Sequence, residues 1–237
     1  MTLKFMYITN DVNVALIAEK YGVDRIWIDL ETLGKEERQK NMDSVKSNHS
    51  IEDIKKIAPL LTKSEMLVRI NPINVNSENE INTVIDAGAD IIMLPMDEIH
   101  IGLNDLHLSY NLSFMFELLS NGTVEKLCKK IAAKGIPYGF GGIAKLGEGI
   151  LPAERIIMEH FKYGSTRAIL SRSFCNYKKI NDIKKVEYIF SSNMKILKNF
   201  EKSLEYKTEE EFINNSNEIQ RLVEQIVKHG RNCNGIK

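Results

Sequence analysis

The stretch YGVDRIWI (Tyr21–Ile28) joins the end of an amphipathic segment, through one glycine, to an apolar run. The same arrangement recurs in AGADIIML (Ala87–Leu94), KGIPYGF (Lys134–Phe140) and YGSTRAIL (Tyr163–Leu170). Glycine is favoured just after a helix because it adopts the left-handed conformation that ends one. Runs such as IWI and IIML lack polar alternation, which is typical of strands buried on both faces of a parallel sheet. The recurrence predicts repeated βα units, hence a barrel or a doubly wound sheet.

Working outward from these stretches, apolar runs alternate with amphipathic segments along the chain. The predicted strands are Lys4–Ile8, Arg25–Leu30, Met66–Ile70, Asp90–Leu94, Ile99–Gly102, Tyr138–Gly142 and Arg167–Leu170. The predicted helices between them are Val12–Tyr21, Ile51–Leu61, Glu78–Ala87, Val124–Lys134 and Ala153–Tyr163. Ser50 and Asp53 resemble a capping box at the start of the second helix. The alternation predicts an α/β fold, and the family resemblance carried by the motifs below implies that it is a TIM-type (β/α)8 barrel rather than a doubly wound sheet.

Two further helical stretches follow the last strand. Asp182–Tyr206 and Thr208–His229 each have an apolar stripe, which needs a partner surface. The sequence thus predicts a barrel domain over residues 1–180 and a helical extension over 181–237. The extension is expected to pack on the barrel or on a neighbouring subunit, and we expect a homo-oligomer.

Composition excludes several classes of function. The chain has 237 residues, of which 43% are hydrophobic, and 32 basic side chains balance 32 acidic ones. A zero balance gives no electrostatic case for nucleic acid or an anionic membrane. No run approaches the ~18 apolar residues of a membrane span. Three distant cysteines without a CxxC pair, and an N-terminus without a signal-peptide pattern, favour a cytoplasmic protein.

Two predicted strands in the middle of the chain are too close in sequence to be parallel neighbours joined by a helix. The run that ends at Met96 and the run that begins at Glu98 are almost contiguous, whereas parallel neighbours need a crossover of about 10–12 residues. A closed barrel of this class has about eight strands, and seven are predicted. The alternatives are one bent strand, a hairpin, or a βα unit missing at the Met96–Asp97 junction.

In a barrel, functional side chains lie at the carboxyl ends of the strands. Each polar residue found there also has a structural interpretation. Asp29 and Glu31 follow the second strand, where carboxylates also cap helices. Arg69 ends the third strand and requires a carboxylate partner, which is either a ligand or Glu31. His49, just before a helix cap, is a candidate general base or a solvent-facing residue.

The later strand ends supply a second group of candidates. Asp105 offers a hard oxygen ligand for Mg²⁺ or Mn²⁺, although a lone aspartate more often caps a turn. The glycines of Gly139–Gly142 permit either close approach to a ligand or a tight turn. Ser171–Ser173 could bind phosphate or carboxylate, or merely cap a helix. Binding of a sugar phosphate by these last two segments is a further alternative.

Four motifs in order resemble the HpcH/HpaI aldolase and citrate lyase β-subunit family. They are IDLE (Ile28–Glu31), VRINP (Val68–Pro72), GADIIMLPM (Gly88–Met96) and IHIGLNDL (Ile99–Leu106). The resemblance implies a phosphoenolpyruvate/pyruvate-type barrel and a metal-dependent carbon–carbon lyase, acting next to an oxo-acid through an enolate. It implies an oxo-acid or hydroxy-acid substrate and a divalent metal, Mg²⁺ or Mn²⁺.

The resemblance also implies a role for each candidate. Arg69 would bind the substrate carboxylate and oxo group, and Glu31 would hold Arg69 or a metal-bound water. Asp105 would be the metal ligand, with Gly102, Leu103 and Asn104 beside the substrate. These are expectations carried over from the family's strand ends, residue by residue.

Two departures from the family pattern stand out. Thr32 occupies the position of the family's histidine, and His49 is the residue expected to take over proton transfer. The strand that carries the family's second metal-ligand glutamate has no counterpart at Met96–Asp97. A natural deletion, an engineered truncation or an omitted segment would each explain this. A non-catalytic barrel that acts as a binding or assembly subunit is therefore an alternative function.

Overall fold

The computed structural model describes residues 3–32, 48–72, 74–93 and 98–234, with side chains described through residue 229. The described chain forms two compact units. The N-terminal unit contains Lys4–Glu98 and Asn176–Ser191, and the C-terminal unit contains Ile99–Cys175, the chain from Ser192 onward and Leu3. The predicted division at residue 180 stays a prediction.

The N-terminal unit is a parallel sheet with alternating helices. Its strands are β1 (Lys4–Ile8), β2 (Arg25–Asp29), β3 (Glu65–Arg69) and β4 (Ile91–Met93), in the sheet order β4-β3-β2-β1. Its helices include α1 (Val12–Lys20), α2 (Ile51–Ile57) and α3 (Ser77–Asp86), and a short 3₁₀ turn, Ala58–Leu60, follows α2. All five residues of β2 are buried, as expected for a strand covered on both faces.

The C-terminal unit continues the same pattern. Its strands are β5 (Ile99–Ile101), β6 (Tyr138–Ile143) and β7 (Arg167–Leu170), parallel and in the order β7-β6-β5. Its helices include α4 (Leu103–Ser109), α5 (Glu117–Ser120), α6 (Thr123–Ala132) and α7 (Ala153–Tyr163). Two long helices come after β7: α8 (Ile183–Leu204), which contributes residues to both units, and α9 (Glu209–Asn234).

This is the predicted α/β fold of the TIM-type barrel class, with additional C-terminal helices. The described residues contain seven strands, where a complete barrel of this class has about eight. Only residues 94–98 separate β4 from β5, too few for a helix and another strand. The predicted junction at Met96–Asp97 itself lies outside the described residues.

The aspartates of GVD and GAD explain why these motifs recur before strands. Asp24 Oδ2 accepts a hydrogen bond from Phe5 N at 2.8 Å, and Asp90 Oδ2 accepts one from Met66 N at 2.7 Å. Each carboxylate therefore satisfies the amide group of the second residue of the preceding strand. The backbone amides of the same two aspartates donate to Phe5 O and Met66 O, both at 3.0 Å. One residue thus fixes the register at the start of two neighbouring strands.

The apolar stripe of α9 is covered inside the C-terminal unit. This helix packs on α5 and α7, and Ile219 and Val223 are 1% and 2% exposed within the core. Buried polar contacts fix the same interface: Asn215 Nδ2 donates to Glu159 Oε1 at 2.8 Å. The partner surface that this stripe requires is therefore within the chain. Homo-oligomer formation stays a prediction.

None of the helices in the described ranges combines the length and the hydropathy that a membrane span requires.

Glu19 on α1 binds the backbone of the segment that precedes β3. Its Oε1 accepts hydrogen bonds from the backbone amides of Thr62, Lys63 and Ser64 at 2.7, 2.6 and 2.9 Å. Burial acts to raise the pKa of Glu19, but these amides outweigh it and hold the pKa below its ordinary value. The charged form of Glu19 is therefore stabilised by folding.

Replacing Glu19 with glutamine is expected to lower the free energy of unfolding by about 2 kcal/mol, because charge-assisted hydrogen bonds are lost. Urea unfolding at neutral pH measures this. The deficit should shrink as pH falls through the depressed pKa of Glu19, since the wild-type carboxylate then loses its advantage. Glu52→Gln is the control, because Glu52 is exposed and pairs with Lys55 on the helix surface. An equal loss in both variants would contradict the role of Glu19.

Candidate functional site

The carboxyl ends of β2 and β3 bring three charged residues together. Asp29 is the last residue of β2 and lies opposite Arg69, the last residue of β3, in the parallel register. The backbone amide of Leu30 donates to Arg69 O at 2.9 Å and continues the pairing beyond the strands. Glu31 follows immediately. The sequence therefore places these side chains at one edge of the N-terminal sheet, as predicted for strand ends.

Arg69 makes a two-pronged ion pair with Asp29. Its Nε donates to Asp29 Oδ1 at 2.9 Å and its Nη2 to Asp29 Oδ2 at 2.8 Å, while Glu31 Oε2 lies 3.3 Å from Nη2. The side chain of Asp29 is only 3% exposed. The carboxylate partner required by Arg69 is thus Asp29, assisted by Glu31. Asp29 thus occupies the edge of the guanidinium formed by Nε and Nη2, and the expectation that Arg69 also binds a substrate carboxylate stays a prediction.

Trp27 forms the layer beneath Arg69. The guanidinium carbon of Arg69 lies 5.2 Å from the centre of the Trp27 ring, close enough for a cation–π contact. Trp27 is 4% exposed, and its Nε1 has no hydrogen-bond acceptor among the described residues. The interpretation of the sequence treated Trp27 only as part of a buried strand. Trp27 stands two residues before Asp29 and therefore on the same face of β2, and this spacing could have indicated its place beside the site.

His49 is joined to this group through the backbone. The amide of Asp29 donates to His49 Nδ1 at 3.1 Å. An amide nitrogen can only donate, so Nδ1 carries the lone pair and the neutral ring holds its proton on Nε2. His49 therefore presents a hydrogen-bond donor at Nε2. The general-base role predicted for His49 stays a prediction, but this hydrogen bond favours His49 as a donor through Nε2.

Asp53 fixes the segment that carries His49. Partial burial acts to raise its pKa, yet donation from Ser50 and Asn10 and the nearby His49 hold the pKa of Asp53 below its ordinary value. Ser50 N donates to Asp53 Oδ2 at 2.8 Å, which is one half of the predicted capping box. Asn10, just beyond β1, lies 3.4 Å from the same oxygen. The position of His49 is therefore set by the start of α2. Residues 33–47, which precede this segment, lie outside the described residues.

The other predicted site residues belong to the C-terminal unit. Gly102 and Asn104 are exposed at the start of α4, and Asp105 lies in its first turn. A methyl group added to Gly102 would lie 3.6 Å from Asp105 Oδ2, so this carboxylate folds back towards the helix start. Leu103 is 1% exposed and part of the hydrophobic core. The side chain of Leu103 therefore packs in the core, and the predicted place of Leu103 beside the substrate stays a prediction.

The donor groups do not fit the expected divalent metal. Asp105 is a single carboxylate, and no group of three or more His, Cys, Asp or Glu side chains converges within the described part of the chain. Divalent cations are held by several oxygen ligands, and charged ones dominate their affinity. The relation predicted between Arg69 and Asp105 stays a prediction, because the two residues belong to different units.

The glycine-rich strand β6 has a packing explanation. A methyl group on Gly139 would lie 2.1 Å from Arg167 O, and the pairing of β6 with β7 shifts register between Gly139 and Gly142. Ser171 N donates to Ile143 O at 2.8 Å, and the hydroxyls of Ser171 and Ser173 are 2.8 Å apart. Gly139 therefore allows the backbones of β6 and β7 to approach each other. No ligand is needed to explain why glycine stands at this position.

Comparisons with known proteins bear on the fold. No family model matches the chain, and no curated protein matches it. Among solved structures, phosphoribosyl anthranilate isomerase from Thermotoga maritima is similar, with 10% identity over 82% of this chain and 99% of that one and a TM-score of 0.46. The tryptophan synthase alpha chain of Legionella pneumophila is similar at 13% identity, over 84% and 92%, with a TM-score of 0.47.

These findings overturn the functional expectation drawn from the sequence. Membership of the HpcH/HpaI aldolase and citrate lyase family is contradicted, because no family model matches the chain. The predicted metal-dependent lyase function is wrong for the same reason. Four short motifs suggested the family, but short motifs at strand ends are compatible with many barrels.

Proposed function

We propose that this chain is an acid–base enzyme that binds a small, oxygen-rich molecule at the carboxyl ends of β2 and β3. The observation that carries the proposal is the connected group of Asp29, Glu31, Arg69 and His49. Strand ends are where barrels hold their ligands. The oxo-acid or hydroxy-acid substrate expected from the sequence falls within this class of ligand.

Each residue has a distinct task in this proposal. Asp29 is a positioning residue: its side chain holds Arg69, and its backbone amide orients His49. Arg69 supplies a fixed positive charge beside a developing negative charge. Glu31, whose side chain is 10% exposed, is the proton acceptor, and His49 Nε2 is the donor.

Hydrogen exchange tests this proposal. Dihydroxyacetone in deuterated water should incorporate deuterium at carbon in the presence of the protein, as followed by proton NMR. Glu31→Gln should slow this about 100-fold, the usual contribution of a general base. The control is Glu80→Gln, which changes a carboxylate of α3 that contacts Asn71 rather than Arg69.

Binding provides a second measurement that does not depend on turnover. Calorimetry with dihydroxyacetone, glycerate and pyruvate should detect at least one saturable ligand, weakened about tenfold in Arg69→Lys because the planar fork is lost. Arg172→Lys, at an exposed position after β7, should bind like the wild type. Absence of both binding and exchange with all three compounds would overturn the proposal.

A further inference from the structure

The C-terminal unit contains an open cavity that the proposed function does not use. Its volume is about 340 Å³, which is within the range of small-molecule sites. The wall of the cavity is formed by α7, by α9 and by the residue that precedes Thr208, so the whole cavity belongs to one unit. The polar residues that line it are Arg155, Lys207, Glu211, Asn214, Asn215 and Glu218.

Asn215 holds the guanidinium of Arg155 in a fixed direction. Asn215 is 1% exposed, and its Nδ2 donates to Arg155 O at 3.0 Å and to Glu159 Oε1 at 2.8 Å. These carbonyl and carboxylate oxygens accept hydrogen bonds, so the orientation of the amide is determined. Asn215 Oδ1 therefore faces the guanidinium, and Arg155 Nη1 donates to it at 3.2 Å. A neutral acceptor thus positions Arg155 and leaves its positive charge uncompensated.

The two carboxylates that line the cavity are engaged by other cations. Glu211 Oε1 lies 2.6 Å from Lys207 Nζ, and Glu218 accepts two hydrogen bonds from Arg221, at 2.8 and 2.7 Å. Donation from Arg221 holds the pKa of Glu218 below its ordinary value, with a smaller contribution from the charge of Arg155. Within the described ranges, Arg155 makes no direct ion pair with a carboxylate. Arg155 is therefore the lining charge that is available to a ligand.

We propose that this cavity binds the carboxylate or phosphate group of a small anion, with Arg155 as the main contact. A guanidinium has five N–H donors in a planar fork, and Asn215 occupies one of them. Two of the remaining donors can bind two oxygens of an anion side by side. The amide of Asn214, at an exposed position on the same wall, can add a further donor. This inference is independent of the proposed function, which concerns the N-terminal unit.

Titration of the ¹⁵N-labelled protein with inorganic phosphate and with succinate tests this inference, at an ionic strength held constant with sodium chloride. The side-chain amide resonances of Asn214 and Asn215 should move in a saturable way with at least one of the two anions. The anion that binds more tightly shows whether a phosphate or a carboxylate group is preferred. Glycerol, which has hydroxyl groups but no charge, should leave both resonances in place.

Two variants test the contacts. Arg155→Gln should weaken binding of the preferred anion about tenfold, because the charged fork is lost. Asn214→Asp adds a carboxylate to the wall of the cavity and should weaken binding by a similar factor through repulsion. Lys130→Gln is the matched control, since it removes one positive charge from an exposed position on α6 of the same unit. If Arg155→Gln fails to fold, Asn214→Asp decides, because its side chain is at the surface.

Three results would overturn the anion site. The first is a shift that grows linearly with both anions, and the second is an equal shift with glycerol. The third is binding that is unchanged in folded Arg155→Gln and Asn214→Asp proteins, or weakened as much in Lys130→Gln. Each of these results leaves the proposed function standing, because that function is measured by hydrogen exchange at carbon and by variants of Glu31 and Arg69.

Discussion

Replacing Asp29 with alanine is expected to lower the free energy of unfolding by about 3 kcal/mol, the lower end for breaking a buried ion pair. The loss arises because Arg69 keeps its charge but loses two hydrogen bonds, at 2.9 and 2.8 Å. The side chain of Arg69 is 31% exposed, so water recovers part of the cost. Urea unfolding of the two proteins, followed by far-ultraviolet circular dichroism, measures the difference.

A double-mutant cycle isolates the pair. Arg69→Met alone should also destabilise the chain, since it leaves the buried carboxylate of Asp29 without its main partner. The double variant Asp29→Ala/Arg69→Met should lose less than the sum of the two single variants. Glu31→Ala is the matched control, because Glu31 touches the same guanidinium at 3.3 Å and should cost less than 1 kcal/mol. Additive losses would show that the pair contributes no coupling.

The sequence predicted the repeating architecture because local chemistry and global fold agree in this chain. The bounds of β1 and β7 are those predicted, and β2 and β6 differ by one residue at the carboxyl end. Glycines after helices and unbroken apolar runs are both consequences of parallel βα units, so either signal leads to the same fold. Two short helices, α4 and α5, were missed. Their few turns carry too little periodicity to be recognised.

The candidate site was predicted only in part, because the sequence of one strand does not show which residues of the neighbouring strand lie beside it. Strand ends identified Glu31 and Arg69, and the predicted helix start at Ser50 identified His49. Asp29 is the carboxylate that pairs with Arg69 because the parallel register of β2 and β3 places the two residues side by side. The backbone amide that fixes His49 could not be foreseen for the same reason. Position after a strand also does not reveal that α4 buries the side chain of Leu103.

Replacing Gly139 with alanine is expected to destabilise the C-terminal unit by about 3 kcal/mol or more. The added methyl group would lie 2.1 Å from Arg167 O and 2.7 Å from the carbonyl carbon. Both atoms belong to the backbone of β7, so no side-chain rotation relieves the clash, and the register shift beside Gly139 has to open. Thermal and urea unfolding, with hydrogen exchange at the amides of β6 and β7, measure the effect and locate it.

Gly102→Ala is the matched control for this clash. Gly102 also follows a strand, but its φ of −73° suits any residue, and the nearest heavy atom to a new methyl group is Asp105 Oδ2 at 3.6 Å. Its cost should stay within about 1 kcal/mol, the usual range for a helix N-cap. Equal losses at the two glycines would mean that backbone freedom, rather than contact with Arg167, accounts for the effect. A stable Gly139→Ala protein would show that the backbones of β6 and β7 lie far enough apart to accept a methyl group at residue 139.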